Sequence, residues 1–273
     1  MFIADAQAHI WATSTPQRPW PPGRNRPHRP LPHSKDDLLC AMETAGVRRV
    51  LIHPPAWEGE YNDLGLEAAR LHPDRLAVMG RLDLNAPSAK GKVATWCQQP
   101  GMLGLRVTFN QGLGNPEDDW VWAEAESGRV PLMTVVLPGQ LPAIARAAQR
   151  HSQLRIVVDH LGINTRKKDA EAFAHLDDLL ALAKHPNIAV KASGVPYYST
   201  DIYPYRNLYP FLRRVYDAFG PKRIFWGSDF TKLPCTYSQA IAVFTEHIPW
   251  LSADDKEWIM GRALCEWTGW KPA

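Results

Sequence analysis

The sequence contains few cysteines, and none of them is close to another. Its 273 residues include four, which are Cys40, Cys97, Cys235 and Cys265. None forms the C-x-x-C spacing of a zinc knuckle or a redox motif. Scattered cysteines of this kind are typical of reduced thiols in a cytosolic protein, so a disulfide framework is excluded as the basis of the fold.

The sequence also lacks a long apolar run and a large net charge. No run reaches the roughly 18 residues of a transmembrane helix, and the first residues form a predicted strand without a signal-peptide pattern. The 31 basic and 28 acidic residues give a formal net charge of +3, which indicates neither nucleic acid nor a membrane surface as a partner. We therefore expect a soluble, cytoplasmic protein whose partner is a small organic molecule.

Eight short apolar runs are separated by amphipathic stretches. The runs are apolar throughout, which is typical of parallel strands covered on both faces. They are Phe2–Ala6, Arg49–His53, Leu76–Arg81, Gly104–Val107, Leu132–Val136, Arg155–Asp159, Ile188–Lys191 and Ile224–Ser228. Eight strand and helix units predict an α/β fold, a (β/α)8 TIM barrel in one domain spanning residues 1–273, whereas six or fewer real strands would give a doubly wound sheet.

Helical periodicity occupies several of the intervening stretches. Ser34 is a predicted N-cap for a helix that continues through Ala45 and stops at Gly46. The other predicted helices are Asp63–Leu71, Gln140–His151, Ala170–His185 and a final one, Asp254–Trp267.

One segment, residues 12–33, interrupts this pattern. Its part from Thr15 to His33 contains seven prolines together with Arg18, Arg24, Arg26 and Arg29. Because proline fixes φ and removes an N–H donor, the segment predicts a long irregular loop on the face of the barrel where active sites lie. It is either a surface loop packed on a neighbour, which leaves a homo-oligomer open, or a lid whose arginines attract an anionic substrate.

Three of the apolar runs lead into residues able to do chemistry. His9 follows the first run, His160 the sixth and Asp229 the eighth, and a parallel barrel brings such strand ends together. We predict that Asp229 is a general base and that His9 and His160 donate hydrogen bonds to a carbonyl oxygen as water adds to it. In the alternative interpretation, the histidines bind buried carbonyls and Asp229 caps the next turn.

These residues belong to a series of short motifs. The motifs are Asp5-Ala6-Gln7-Ala8-His9-Ile10-Trp11, Tyr61-Asn62, His72-Pro73-Asp74-Arg75, Val158-Asp159-His160-Leu161-Gly162, Val190-Lys191-Ala192-Ser193-Gly194, Trp226-Gly227-Ser228-Asp229-Phe230 and Gly261-Arg262-Ala263-Leu264. Their order and spacing resemble the amidohydrolase-related family (amidohydrolase 2). Within it, the chain is similar to the lactonase-like branch that includes 2-pyrone-4,6-dicarboxylate hydrolase and sugar lactonases.

The resemblance implies a metal-binding pattern from which this chain departs. The family places H-x-H on the first strand, histidines after the fifth and sixth strands and an aspartate after the eighth. Here Gln7 replaces the first histidine, and residues 131–137 contain none. Because catalytic zinc normally has three protein ligands, we predict metal-independent activity without a cofactor, although His9, His160 and Asp229 could hold zinc weakly.

Polar residues near other strand ends indicate what kind of substrate the site binds. Arg106 and Lys191 are predicted to end the fourth and seventh strands, where they could pair with a carboxylate. Gln7 and Tyr197 complete the predicted substrate-binding set, although strand-end cations are also common structural partners of aspartates.

We predict a hydrolase that opens a small, carboxylated lactone or cyclic ester by attack of water. The alternatives are a metal-dependent decarboxylase of the same broad family and a non-catalytic ligand-binding barrel.

Overall fold

The computed structural model describes residues 1–23, 27–108 and 119–271, and its sheet has eight strands in sequence order. They are β1 Ala4–Ala8, β2 Arg49–Ile52, β3 Leu76–Gly80, β4 Met102–Thr108, β5 Leu132–Val135, β6 Ile156–Val158, β7 Ile188–Ser193 and β8 Ile224–Gly227. Each strand is parallel to the next. Next to β8, the Asp229 N–H donates to the Gln7 carbonyl of β1 at 2.8 Å, which brings the two edges of the sheet together. The predicted single-domain (β/α)8 barrel is confirmed.

Ten α-helices are formed by the described residues. They are α1 Lys35–Ala45, α2 Asp63–Leu71, α3 Asp119–Ser127, α4 Leu141–Arg150, α5 Asp169–Ala172, α6 Leu176–Leu180, α7 Tyr209–Phe219, α8 Tyr237–Ala242, α9 Ala253–Glu257 and α10 Ala263–Thr268. In the parts of the chain described, no helix has the length and apolar character needed to cross a membrane.

The predicted start and end of α1 are confirmed. The Ser34 side chain accepts from the Asp37 N–H, and Gly46 ends the helix with φ 73°, a left-handed conformation that glycine adopts without strain. Two other helix predictions were too continuous. The stretch Ala170–His185 is divided into α5, α6 and a short 3-10 turn, and a π turn, Trp258–Arg262, separates α9 from α10.

Apolar side chains fill the interior of the barrel below the polar site. This cluster includes Ala4, Ala6, Leu51, Ala77, Met79, Met133, Val157, Ala189 and Phe225. A larger apolar cluster packs the outer faces of the strands against the helices. Burial on both faces explains why the strands have uniformly apolar sequences.

A bulge in β1 determines which side chains enter the site. Asp5 pairs with Val50 and Ala8 with Ile52, so three steps along β1 match two along β2. The extra residue alters the alternation of side chains, as bulges beside active sites do. The Asp5 carboxylate accepts from the Gln7 N–H at 2.9 Å, the Ser228 N–H at 2.8 Å and the Tyr237 hydroxyl at 2.6 Å.

The end of β7 also differs from the prediction. Lys191 was expected at the end of the strand, but β7 continues to Ser193, because this whole segment is buried and pairs with β8. Lys191 therefore lies below the rim and is fully buried.

Candidate active site

The three predicted catalytic residues lie together at the C-terminal end of the barrel. His9 directly follows β1, and His160 and Asp229 each come two residues after a strand. His9 Nε2 and Asp229 Oδ1 are 3.5 Å apart, and all three side chains are buried. His160 and Asp229 have φ values of 52° and 50°. Left-handed backbone is uncommon outside glycine, although aspartate and histidine adopt it more readily than most residues, and here it turns both side chains at the ends of their strands.

Asp229 has one paired and one unpaired carboxylate oxygen. Its Oδ2 forms an ion pair with Lys232 Nζ at 2.5 Å. Its Oδ1 is buried and has no hydrogen bond from the described residues, and His28 Nδ1 lies 3.9 Å from it. Burial alone raises the pKa of Asp229, but attraction to Lys232 and the nearby imidazoles outweighs burial and holds the pKa well below its ordinary value. An ionised oxygen is therefore free to accept a hydrogen bond from water.

Asp159 connects the other charged residues of the site. It follows β6 directly, and its Oδ2 accepts from Arg106 Nε at 2.8 Å while its Oδ1 pairs with Lys191 Nζ at 2.7 Å. Burial raises the pKa of Asp159, but the two cations outweigh it and keep the pKa well below the usual range. Lys191 also donates to Gln7 Oε1 at 2.7 Å. One carboxylate thus holds two of the predicted substrate-binding residues directly and a third through Lys191.

The hydrogen bonds of His9 assign its tautomer. Its Nδ1 lies 2.6 Å from the His53 carbonyl oxygen, which can only accept, so Nδ1 carries the proton. Its Nε2 lies 3.1 Å from Gln7 Nε2. Because the Gln7 oxygen already accepts from Lys191, the Gln7 amide donates to the His9 lone pair. The contact of His9 with a buried carbonyl matches the alternative interpretation of this residue.

His160 has the same protonation pattern. Its Nε2 accepts from Arg106 Nη2 at 3.2 Å, so its Nδ1 carries the proton and donates to Ser193 Oγ at 2.8 Å. Burial lowers the pKa of both His9 and His160 to about 3. Both imidazoles are therefore neutral near pH 7, and their Nε2 lone pairs are already used.

The predicted substrate-binding residues lie at different depths. Arg106 lines a small cavity of about 110 Å³ beside the residues that follow β3, a cavity that His9, His160 and Asp229 do not line, whereas Lys191 is fully buried. The Tyr197 ring contacts two ammonium groups, with Lys168 Nζ 3.6 Å and Lys232 Nζ 5.1 Å from its centroid. Tyr197 is therefore close to the ion pair that Lys232 makes with Asp229.

Two arginines of the 12–33 loop fasten the loop to the barrel. Arg18 pairs with Glu58 at 3.3 Å and with Asp63, and Arg29 Nε donates to the Thr231 carbonyl at 3.1 Å. The other two, Arg24 and Arg26, lie outside the described residues. The interpretation of the loop as an electrostatic lid stays a prediction.

Sequence reasoning missed two residues that contact Asp229 or lie close to it. His28 belongs to the 12–33 loop, and its Nδ1 hydrogen-bonds Thr231 Oγ1 at 2.8 Å. Its ring packs against Trp57 and His9, with centroids 4.8 and 5.4 Å away. The only signal for His28 was its place in a loop predicted to overhang the mouth. The i,i+3 spacing of Asp229 and Lys232 could have suggested their ion pair.

The residues of the site do not fit a zinc ion. Zinc needs several free donor atoms directed at one point, but Gln7 and Arg106 occupy the Nε2 lone pairs of His9 and His160, and Lys232 occupies one oxygen of Asp229. In the described parts of the chain, no group of three or more histidine, cysteine, aspartate or glutamate side chains is arranged to hold a metal. The weak zinc site predicted from His9, His160 and Asp229 is not assembled among them.

A closed parallel barrel with polar residues at the C-terminal ends of its strands defines an enzyme of the TIM-barrel class. A family model described as amidohydrolase matches residues 4–263. The chain belongs to the amidohydrolase family, which confirms the resemblance and the expectation of a hydrolase.

Individual relatives agree with this assignment. An L-fucono-1,5-lactonase of Burkholderia ambifaria is 29% identical over 244 residues, which are 84% of this chain and 80% of the relative. A probable 2-pyrone-4,6-dicarboxylic acid hydrolase of Acinetobacter baumannii, solved with citric acid, has a TM-score of 0.78 at 19% identity, covering 98% of this chain and all of its own. An amidohydrolase of Burkholderia multivorans with bound zinc has a TM-score of 0.79 at 20% identity, covering 98% and 99% of the two chains. At such identities the two solved structures show the fold alone.

The donor set leads to a prediction about metal content. Protein dialysed against a strong chelator should contain far less than one equivalent of any transition metal and keep its thermal midpoint and its rate of lactone opening, because the lone pairs a metal needs are already used. Metal analysis, thermal unfolding and a rate assay before and after dialysis measure this. Loss of activity that stoichiometric zinc or manganese restores would contradict the prediction.

Proposed function

We propose that this protein is a metal-independent hydrolase that opens a small lactone or related cyclic ester bearing a carboxylate. The observation that carries this proposal is the buried, ionised Asp229 carboxylate, whose Oδ1 has no hydrogen bond from the described residues. The similarity to an L-fucono-1,5-lactonase supports a lactone as substrate. The four free cysteines favour a reducing compartment such as the cytoplasm.

In the proposed reaction, Asp229 activates water. A water molecule donates one hydrogen to Asp229 Oδ1 and attacks the carbonyl carbon of the lactone, so that a C–O bond forms and the proton passes to Asp229. The carbonyl oxygen becomes negative. The ring C–O bond then breaks, the electron pair of the carbonyl is restored, and the departing ring oxygen takes the proton back from Asp229. The product is an open-chain hydroxy acid, and Asp229 is ionised again.

Arg106 is suited to stabilise the negative carbonyl oxygen. Its orientation is fixed by Asp159 at Nε and by His160, one of the three predicted catalytic residues, at Nη2. A charged donor held in place before the reaction stabilises developing charge effectively. Since His9 and His160 use their Nε2 atoms as acceptors, we assign them the orientation of Gln7 and Arg106 rather than direct donation to the substrate.

The shared pairing of Asp159 leaves Arg106 able to bind an anionic group. Arg106 and Lys191 both pair with Asp159, Lys232 pairs with Asp229, and the two histidines beside them are neutral. Because one carboxylate serves two cations, the Arg106 guanidinium can also attract an oxyanion or a substrate carboxylate.

The alternatives are supported less well. A metal-dependent decarboxylase needs a bound divalent ion, which the donor atoms of this site do not fit. A non-catalytic ligand-binding barrel is supported by no feature of the site, whereas the matching family model and the lactonase relative are those of enzymes.

Substitution of Asp229 by asparagine tests the proposal. The wild-type protein should release protons from a panel of carboxylated and hydroxylated lactones, and Asp229→Asn should lower kcat on them by roughly 10² to 10⁴, the range of general-base contributions. Asp36→Asn, at an exposed carboxylate of α1, is the matched control and should leave the rate unchanged. A wild-type protein that opens no lactone would refute the proposed function, and a folded Asp229→Asn variant with normal kcat would remove Asp229 from the mechanism.

The pKa shifts predict the dependence of the rate on pH. Near pH 7, kcat/KM should not change with pH, because His9 and His160 are neutral, with pKa values of about 3, and Asp229 and Asp159 are ionised. The buried Asp5, whose pKa burial raises to about 6, has also lost its proton there. Burial lowers the pKa of Lys191 to about 8, so its ammonium is lost as the pH rises through this value. The rate should fall there, because Asp159 and Gln7 lose a partner. A pH–rate profile that stays level through pH 8 and above would contradict this account.

A further inference from the structure

The indole N–H of Trp57 is buried and has no hydrogen-bond partner among the described residues. Trp57 lies in the 3-10 turn, Ala56–Glu58, that follows β2, and only 4% of its surface is exposed. Its ring packs against His9 at 5.8 Å and His28 at 4.8 Å between centroids. The unpartnered donor therefore lies beside the candidate active site.

A neighbouring tryptophan shows that the local fold can satisfy such a group. The Trp11 ring contacts Trp57 at 5.5 Å, and its own indole N–H donates to the Leu31 carbonyl at 3.1 Å. A buried N–H without a partner is unfavourable, and phenylalanine would provide similar aromatic packing without that cost. Other described indole N–H groups also lack a partner, those of Trp20, Trp250 and Trp267, but Trp57 is the one that packs directly on His9, where an oxygen of a bound ligand can accept from it.

We propose that Trp57 is a specificity-determining residue that donates its indole N–H to an oxygen substituent on the ring of the substrate. This proposal rests on the proposed lactone hydrolysis and names the feature of the substrate that the site recognises. The acceptor is a hydroxyl or a carboxylate oxygen outside the reacting ester group. The Trp57 ring meets the His28 ring edge-on, with 64° between their planes, so the indole itself is the apolar surface available to the C–H face of a small ring.

A polar group that recognises a substituent discriminates strongly against rings that lack it. When the substituent is absent, the indole N–H stays buried and unpaired, and the bound state loses the hydrogen bond. Removing the N–H from the protein should therefore weaken binding of substituted rings only. The effect should fall on KM, because the contact is the same in the ground state and the transition state.

The test compares Trp57→Phe with Trp11→Phe on three six-membered lactones. The probes are unsubstituted δ-valerolactone, a polyhydroxylated δ-lactone and a δ-lactone carrying a ring carboxylate. Trp57→Phe should lower kcat/KM about 10-fold on at least one substituted ring, through KM, and leave δ-valerolactone within about two-fold, since one hydrogen bond contributes roughly 1.4 kcal/mol. The substituted ring that loses rate identifies the acceptor. Trp11→Phe should change all three rates by the same factor.

Equal losses on all three lactones, or a loss in kcat alone, would overturn the proposal and leave Trp57 as a packing residue. A variant that does not fold is replaced by a measurement on the wild-type protein. In protein with ¹⁵N-labelled tryptophan, the indole resonance of Trp57 should shift when the substituted lactone, or its ring-opened acid, is added, while that of Trp11 stays in place. An unshifted Trp57 resonance with a lactone that the enzyme opens would contradict the proposal. Failure of the wild-type protein to open any lactone refutes the proposed function instead.

Discussion

The paired contacts of Asp159 with Arg106 and Lys191 are the interaction on which the rest of the site depends. The carboxylate lies at the C-terminal end of β6 and binds a guanidinium from β4 and an ammonium from β7. Through Arg106 it fixes the tautomer of His160, and through Lys191 and Gln7 it fixes that of His9. Such buried pairs stabilise a fold little in net terms, but loss of one partner leaves an uncompensated charge. We therefore regard the network as a device for orientation rather than for stability.

This network also explains why the chain departs from the metal-binding pattern of its family. The Lys191 ammonium donates to Gln7, the residue at the first histidine position, and lies 3.5 Å from the sulfur of Met133 on β5, the strand on which the family histidine is missing. A buried cation thus contacts residues on both strands that lack the expected ligand. In the proposed mechanism, electrostatic stabilisation by Arg106 takes the place of a Lewis acid, and Lys191 holds Asp159 and Gln7 in position.

The eight strands and the convergence of His9, His160 and Asp229 could be predicted from the sequence, because uniformly apolar runs that end in polar residues are typical of parallel barrel strands, whose C-terminal ends meet at one face. The depth of Lys191 could not, since a strand that continues to Ser193 has the same local sequence character as one that stops. The bulge in β1 could not be predicted from the sequence either, because it is defined by how Asp5 and Ala8 pair with β2.

Contacts made by loops that are distant in the sequence could not be predicted either. His28 lies in a proline-rich segment without periodicity, and nothing in its neighbours indicates that it packs on Trp57. Trp57 could have been noted only as an aromatic residue after β2. Both positions depend on how the 12–33 loop is fastened by Arg18 and Arg29, which is a property of tertiary structure.

A crystal structure with the ring-opened hydroxy acid of a turned-over lactone bound tests the central claim most directly. The account predicts that the new carboxylate accepts from the Arg106 guanidinium at about 3 Å and lies beside Asp229 Oδ1, joined to it by a bridging water molecule or a shared proton, with the ion pairs of Asp159 intact. A product carboxylate bound away from Asp229, or bound to a metal ion held by His9 and His160, would contradict it.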